Sequence, residues 1–246
     1  MKRLMRFSIS ILVIMITALP LFALTSEEII NKRDNNEYIE TARIESRMII
    51  QSGSRTIEKE MIIYADGENV LMEFTNPRDR GTKFLKRGDD LWMFFPDAED
   101  LVKISGHMLK QGMMGSDFSY QDMMESDKLT DLYDFELMGE EELNGRMCYV
   151  LEGIAVEGKE VSYYRRKAWV DKERFVGLKE ELYAKSGRLL KLMKAEEIDQ
   201  IEGRYYPVRT VMEDKLRQNT STEVIIESME LNPEINSKMF TIENLK

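Results

Sequence analysis

Turn dipeptides recur through this chain at hairpin spacing, and they restrict its fold more than any other feature. Asp66-Gly67, Gly88-Asp89 and Asn144-Gly145 each separate two apolar-alternating runs, and Ser186-Gly187 and Glu202-Gly203 repeat the device in softer form. Such residues accept the positive φ that a tight hairpin needs. Strands are therefore expected over residues 38–51, 55–65, 68–75, 81–87, 90–95, 100–104, 133–143, 146–155, 162–171, 176–184, 188–201, 204–214 and 220–231. Strands do not alternate with long helices, which argues against a parallel α/β fold. Consecutive hairpins predict a mainly β protein with a large curved antiparallel sheet, whose apolar side must be closed off or covered. One short helix is expected over residues 25–36, where Thr25 and Glu28 have capping-box spacing and Ile29 and Ile30 supply an apolar face. With no internal repeat and no linker rich in Pro, Gly or Ser, residues 24–246 read as one domain.

Ahead of that domain, Lys2, Arg3 and Arg6 precede an almost wholly apolar run from residue 7 to residue 22, and Ala23 offers a small residue for cleavage. This is the layout of a signal peptide; the run falls short of the ~20 residues that span a bilayer. The expectation is an exported, periplasmic protein cleaved near Ala23. Loss of those three cations takes the net charge from −10 to −13. Such acidity disfavours nucleic acid as a partner, because phosphates demand a basic surface. The single cysteine, Cys148, sits in a strand pattern and reads as a small buried hydrophobe rather than half of a disulfide.

Residues 81–122 break the strand pattern midway. The first part carries short strands; from residue 105 onward it becomes rich in Gly and Met, with Met108, Met113, Met114, Met123 and Met124 inside seventeen positions. Long irregular segments inside compact domains are usually functional or disordered, and this one is too apolar for plain disorder. Met is over-used on surfaces that take varied apolar partners. A Met-lined cover over a sheet suits an acyl chain, held by non-directional burial at ~0.8 kcal/mol per CH₂. The same residues would serve equally as a core plug, and a plug that moves is a lid.

Catalytic signatures do not appear. His107 is the only histidine, with no metal-ligand spacing around it. There is no Gly-x-Ser-x-Gly elbow and no phosphate-cradling loop. The Glu140-Glu141-Glu142 and Asp97-Glu99-Asp100 clusters read as solvating charge, with a weak calcium site as the alternative. The charged positions of residues 162–171 and 188–201, Arg165, Arg166, Lys167, Lys191 and Lys194 among them, read mostly as a solvated outer face.

The runs DDLWMFFPDAEDLVKISG (89–106) and MMGSDFSYQDM (113–123), with GRYYPVR (203–209) and Met239-Phe240, resemble the LolA-like outer-membrane lipoprotein-sorting protein family. They are most similar to the branch found as exported companions of RND-type lipid exporters. The resemblance covers essentially the whole chain after residue 23. It implies an unclosed antiparallel β-barrel, a half-pipe with short helices and a loop over its concave face. It also implies a periplasmic carrier that takes acyl-bearing cargo from an inner-membrane exporter of RND or ABC type to an outer-membrane acceptor, with no enzyme activity, no metal and no cofactor. The sequence departs from the family in one respect. The Arg-Pro pair that helps latch the lid of LolA proper has no match at Asp66-Gly67-Glu68, and Arg78 and Arg80 sit one turn later.

The leading expectation is thus a carrier of lipoprotein acyl chains or a related lipid in an apolar cavity. The alternatives are a lipid- or envelope-stress-sensing module, an accessory subunit of an RND-type exporter, and, more remotely, a carboxylate-based hydrolase of envelope polymers. Expected cover contacts are Met108, Leu109, Met113, Met114 and Phe118. On the 91–95 strand, alternation sends Trp92 and Phe94 to one side and Leu91, Met93 and Phe95 to the other. The aromatic pair set against a mixed trio points to Trp92 and Phe94 as the cavity wall.

Overall fold

A computed structural model describes residues 24–125 and 128–245. The expected signal segment lies outside these residues.

A single sheet carries thirteen strands: β1 (Thr41–Ser52), β2 (Arg55–Asp66), β3 (Asn69–Phe74), β4 (Lys83–Arg87), β5 (Asp90–Phe95), β6 (Asp100–Ile104), β7 (Tyr133–Leu143), β8 (Arg146–Ala155), β9 (Arg165–Asp171), β10 (Gly177–Tyr183), β11 (Leu189–Ile201), β12 (Arg204–Asp214) and β13 (Thr220–Leu231). Every pairing is antiparallel. The turn chemistry accounts for the hairpins. Leu143 pairs with Arg146 across Asn144-Gly145, whose φ values are 51° and 79°, the double left-handed conformation that matches strand twist. Ile201 and Arg204 flank Glu202-Gly203 in the same way.

Strand order is β6-β5-β4-β3-β2-β1-β13-β12-β11-β10-β9-β8-β7. The first strand pairs with the last, in the middle of the sheet. The two edges, β6 and β7, are neighbours in sequence yet do not pair, and the sheet is an unclosed barrel. The consequence is geometric: the connection from β6 to β7 must travel from one edge of the sheet to the other.

That connection crosses one face, here called the inner face. It contains short 3₁₀ turns at Gly106–Lys110 and Met113–Gly115. Two short helices follow, α2 (Tyr120–Met124) and α3 (Leu129–Leu132). The N-terminal helix α1 (Ser26–Glu37) begins with the expected capping box, in which Glu28 N–H donates to Thr25 Oγ1 and Thr25 N–H donates to Glu28 Oε2. It buries Ile29 and Ile30 beside Leu129, Leu132, Leu151 and Ala168, and so shields the β7–β9 end of the inner face. Residues after β13 run along the outer face instead, where Phe240 and Leu245 pack on Leu71, Leu85 and Phe94.

Candidate functional site

Strand register places the apolar half of the inner face on β1–β6. Met48 and Ile50 of β1, Met61 of β2, Met72 and Phe74 of β3, Phe84 of β4 and Leu91 and Met93 of β5 form one buried cluster. The cover sits down on it. Met113 is 3% exposed and Tyr120 8% exposed. Met108, Leu109, Met114, Met123 and Met124 pack against the same cluster, half-buried. The Tyr120 ring lies 5.7 Å from Phe84, and its hydroxyl points at Met93 Sδ, 4.0 Å away.

The cover holds its shape through a tight local fold. Gly112 and Ser119 bridge each other, Met113 N–H donates to the Phe118 carbonyl (2.7 Å), and Tyr120 N–H donates to Gln111 O (3.1 Å). A Cβ at Gly112 would stand 2.3 Å from the Ser116 carbonyl oxygen, so only glycine fits there. Met114 adopts φ 51° and is followed by Gly115 at φ 87°. This left-handed pair reverses the chain and sends Met113 inward.

Of the residues expected at this site, Met108, Leu109, Met113 and Met114 come together in one cluster. Phe118 is displaced from them; it packs with Tyr163, Leu182 and Met212 over the β10–β12 part of the face. Trp92 and Phe94 are corrected. They lie on the outer face with Leu71, Leu85, Phe240 and Leu245, while Leu91, Met93 and Phe95 meet the cover. Both faces of β5 are covered, so both look apolar in sequence. The aromatic pair answers to the C-terminal segment, not to the cover.

The other half of the inner face is charged. Arg166, Ala168 and Val170 share one side of β9, and Arg166 is buried at 8% exposure. Its guanidinium donates to Glu180 Oε2 (2.9 Å) and to Glu125 Oε2 (2.5 Å). Glu180, 1% exposed, also accepts from Arg33 of α1 (3.2 Å), and Arg33 pairs in turn with Glu37 (2.7 Å) and Asp34 (3.3 Å). Burial works to lower the pKa of Arg166, but the charges of Glu180 and Glu125 outweigh it and raise the pKa above the ordinary arginine value. Burial pushes the Glu37 carboxyl up, against the opposing pull of Arg33. Burial, then the neighbouring Asp122 carboxylate, pushes the Tyr163 phenol up, so it stays protonated and donates to Asp122 Oδ1 (2.7 Å).

The reading of Arg166 as a solvated outer charge is therefore overturned, and so is that of Lys191, which is 8% exposed. Arg166 shares strand parity with Ala168 and Val170, the one sequence signal that could have placed it inside.

Three carboxylates of the cover dock on this half. Asp117, 2% exposed, accepts from Thr220 Oγ1 (2.6 Å) and Thr222 Oγ1 (2.7 Å), and lies 3.5 Å from Arg217. Asp122 accepts from Lys191 Nζ (2.8 Å). Glu125 takes Arg166 and the Ser162 N–H (2.7 Å). These contacts hold the cover on the sheet. The sequence reading missed them because each joins residues roughly 40 to 105 positions apart.

Between the cover, α1 and α3 lies a cavity of about 260 Å³. Phe118, Leu182, Met193 and Met212 line its apolar side; Arg166 and Asp122 are among its polar groups. The Nε of Arg166 is buried and has no hydrogen-bond partner among the described residues.

Other chemistry is sparse. His107 is exposed on the first 3₁₀ turn of the cover. Cys148 is buried on the outer face beside Val150 and Trp169, and burial pushes its thiol up to about 11, which removes it as a nucleophile near neutral pH. Among the described residues, no group of three or more His, Cys, Asp or Glu side chains gathers to hold a metal ion.

A family model described as "Uncharacterized protein" matches residues 66–246. No curated protein matches the chain. Solved structures do. A DUF1329 family protein from Desulfovibrio piger is 26% identical, with a TM-score of 0.81 over 89% of this chain and 97% of that one. A domain assigned to outer membrane lipoprotein sorting, from Vibrio parahaemolyticus, is 25% identical, with a TM-score of 0.77 over 89% and 97%. A LolA superfamily protein from Nitrosomonas europaea is 26% identical, with a TM-score of 0.74 over 90% and 99%.

Proposed function

The chain belongs to the LolA-like family, and we propose that it is a periplasmic carrier that shelters the acyl chains of lipoproteins, or of a related lipid, on the inner face of its half-barrel. The observation that carries this reading is the seating of a methionine-rich cover, centred on Met113, on an apolar sheet face. A cover of this kind can be exchanged for a lipid tail at little net cost. Burial of a Met or Leu side chain is worth about 1.5–3 kcal/mol, so the cover's apolar contacts total on the order of 10 kcal/mol, which about a dozen buried methylenes would match. The similarity to the Vibrio domain assigned to lipoprotein sorting supports the same reading.

On this proposal the protein is a carrier and not an enzyme, needs no cofactor, and leaves the cytoplasm through the signal at residues 1–23. It receives cargo from an inner-membrane exporter and delivers it to an outer-membrane acceptor. The test is native mass spectrometry of protein isolated from the periplasm, with lipid extraction and an uptake assay using acylated peptide. Bound lipid and saturable uptake are expected. Protein that comes out free of lipid and takes up none refutes the carrier.

A further inference from the structure

We propose that the cargo is an anionic amphiphile, and that the carboxylates of the cover occupy the place of its headgroup in the closed protein. This rests on the carrier reading and names the ligand class for it.

The cover does two things to the inner face. Over β1–β6 it supplies apolar side chains to an apolar surface. Over β9–β13 it supplies negative charge to cations: Glu125 to Arg166, Asp122 to Lys191, and Asp117 to Arg217. A ligand that takes the place of the cover inherits both tasks. An alkyl chain satisfies the first. Only an anion satisfies the second, because a buried charge stripped of its partner is strongly unfavourable.

The cations are not equally provided for. Arg33 keeps Glu37, Asp34 and Glu180 whatever the cover does. Lys191 has Asp122 as its carboxylate, and Arg166 loses Glu125 when the cover lifts and keeps only the Glu180 that it shares with Arg33. Lys191 and Arg166, both 8% exposed, are therefore the pair left short of negative charge. Arg166 lines the 260 Å³ cavity, and its buried Nε has no hydrogen-bond partner among the described residues. The apolar lining of that cavity, Phe118, Leu182, Met193 and Met212, stands beside these polar groups. Headgroup and first methylenes thus find complementary surfaces within one site. A carboxylate and a phosphate monoester both meet the requirement; a free alcohol does not.

The experiment compares matched pairs on the exported protein by equilibrium binding of radiolabelled lipid: oleate against oleyl alcohol, and dioleoyl phosphatidate against dioleoylglycerol. The anionic member is expected to bind at least ten-fold more tightly in one pair or both, and the pair that shows it distinguishes a carboxylate from a phosphate headgroup. Lys191→Met is expected to bring that preference below about three-fold, and Lys191→Arg to restore it. Asp122→Asn, which weakens the internal competitor and leaves both cations in place, is expected to tighten anion binding several-fold, and it provides the readout should Lys191→Met fail to fold. Equal binding within both pairs overturns the headgroup assignment and leaves the carrier standing. Binding of none of the four lipids overturns the headgroup assignment, and overturns the carrier as well when acylated peptide is not taken up either. An anion preference that survives Lys191→Met, or an Asp122→Asn protein that binds anions no better, also overturns the assignment.

Discussion

The two halves of the inner face are covered by the same connection but held in different ways. Over β1–β6 the contacts are methionines and aromatics, adaptable in shape and indifferent to small displacements. Over β9–β13 they are carboxylates set on Arg166, Lys191, Thr220 and Thr222 within 2.5–2.8 Å. The apolar half supplies most of the burial energy and little direction. The charged half supplies direction, because a carboxylate displaced from a buried cation leaves two unsatisfied groups. On the carrier proposal, the difference would let one segment be both well seated and exchangeable: its position is specified at a few charged points, and its remaining contacts are ones a lipid tail would replace.

The strongest way to break this comparison is Arg166→Met. It leaves Glu125 without its cation and Glu180 with only Arg33. A loss of about 3–5 kcal/mol is expected, a fall in Tm on the order of 10 °C for a chain of this size, read by calorimetry. Adding Glu125→Leu should recover much of that loss, since it removes the carboxylate left without a cation while Glu180 keeps Arg33. No recovery would mean that Arg166 acts through packing rather than charge.

Next in size is Met113→Asp with Met114→Asp. A buried, unpaired carboxylate costs several kcal/mol, enough to unseat the cover while the sheet keeps its own hairpins. Acyl uptake should disappear and amide exchange in residues 105–124 should accelerate, with the β1–β13 pairing still protected. Global unfolding, or undiminished uptake, would contradict the separate roles of cover and wall.

Gly112→Ala acts on the cover alone. The 2.3 Å approach to the Ser116 carbonyl forces the turn open at about 1–3 kcal/mol, so limited proteolysis should cut faster within residues 105–119 while the Tm of the sheet barely moves. The smallest effect is expected from Trp92→Phe. Trp92 lies on the outer face with the C-terminal segment, and lipid affinity should stay within about two-fold of the parent, a shift of ~0.4 kcal/mol. A larger change would return Trp92 to the binding face.

The hairpins were legible because their determinants are local. Asn144-Gly145 takes φ 51° and 79° wherever the flanking strands go, and the Thr25–Glu28 capping box closes within one turn of helix. The cover was legible as a break in pattern, and its methionines as a group. Its charged contacts were not, because Asp117 is one acidic residue among many until β13 brings Thr220 and Thr222 to it from more than a hundred residues away.

What the sequence determined by itself is the set of strands, the turns between them and the existence of a Met-rich segment that breaks the strand pattern, all matters of backbone conformation and short-range pattern. Only the tertiary structure decided which face of β5 looks inward and which charges are buried. Strand alternation distinguishes two faces but does not rank them when both are covered, as they are here by Met113 on one side and Phe240 on the other. A buried cation such as Arg166 is recognisable only once the carboxylates that pair with it have been brought to it through space.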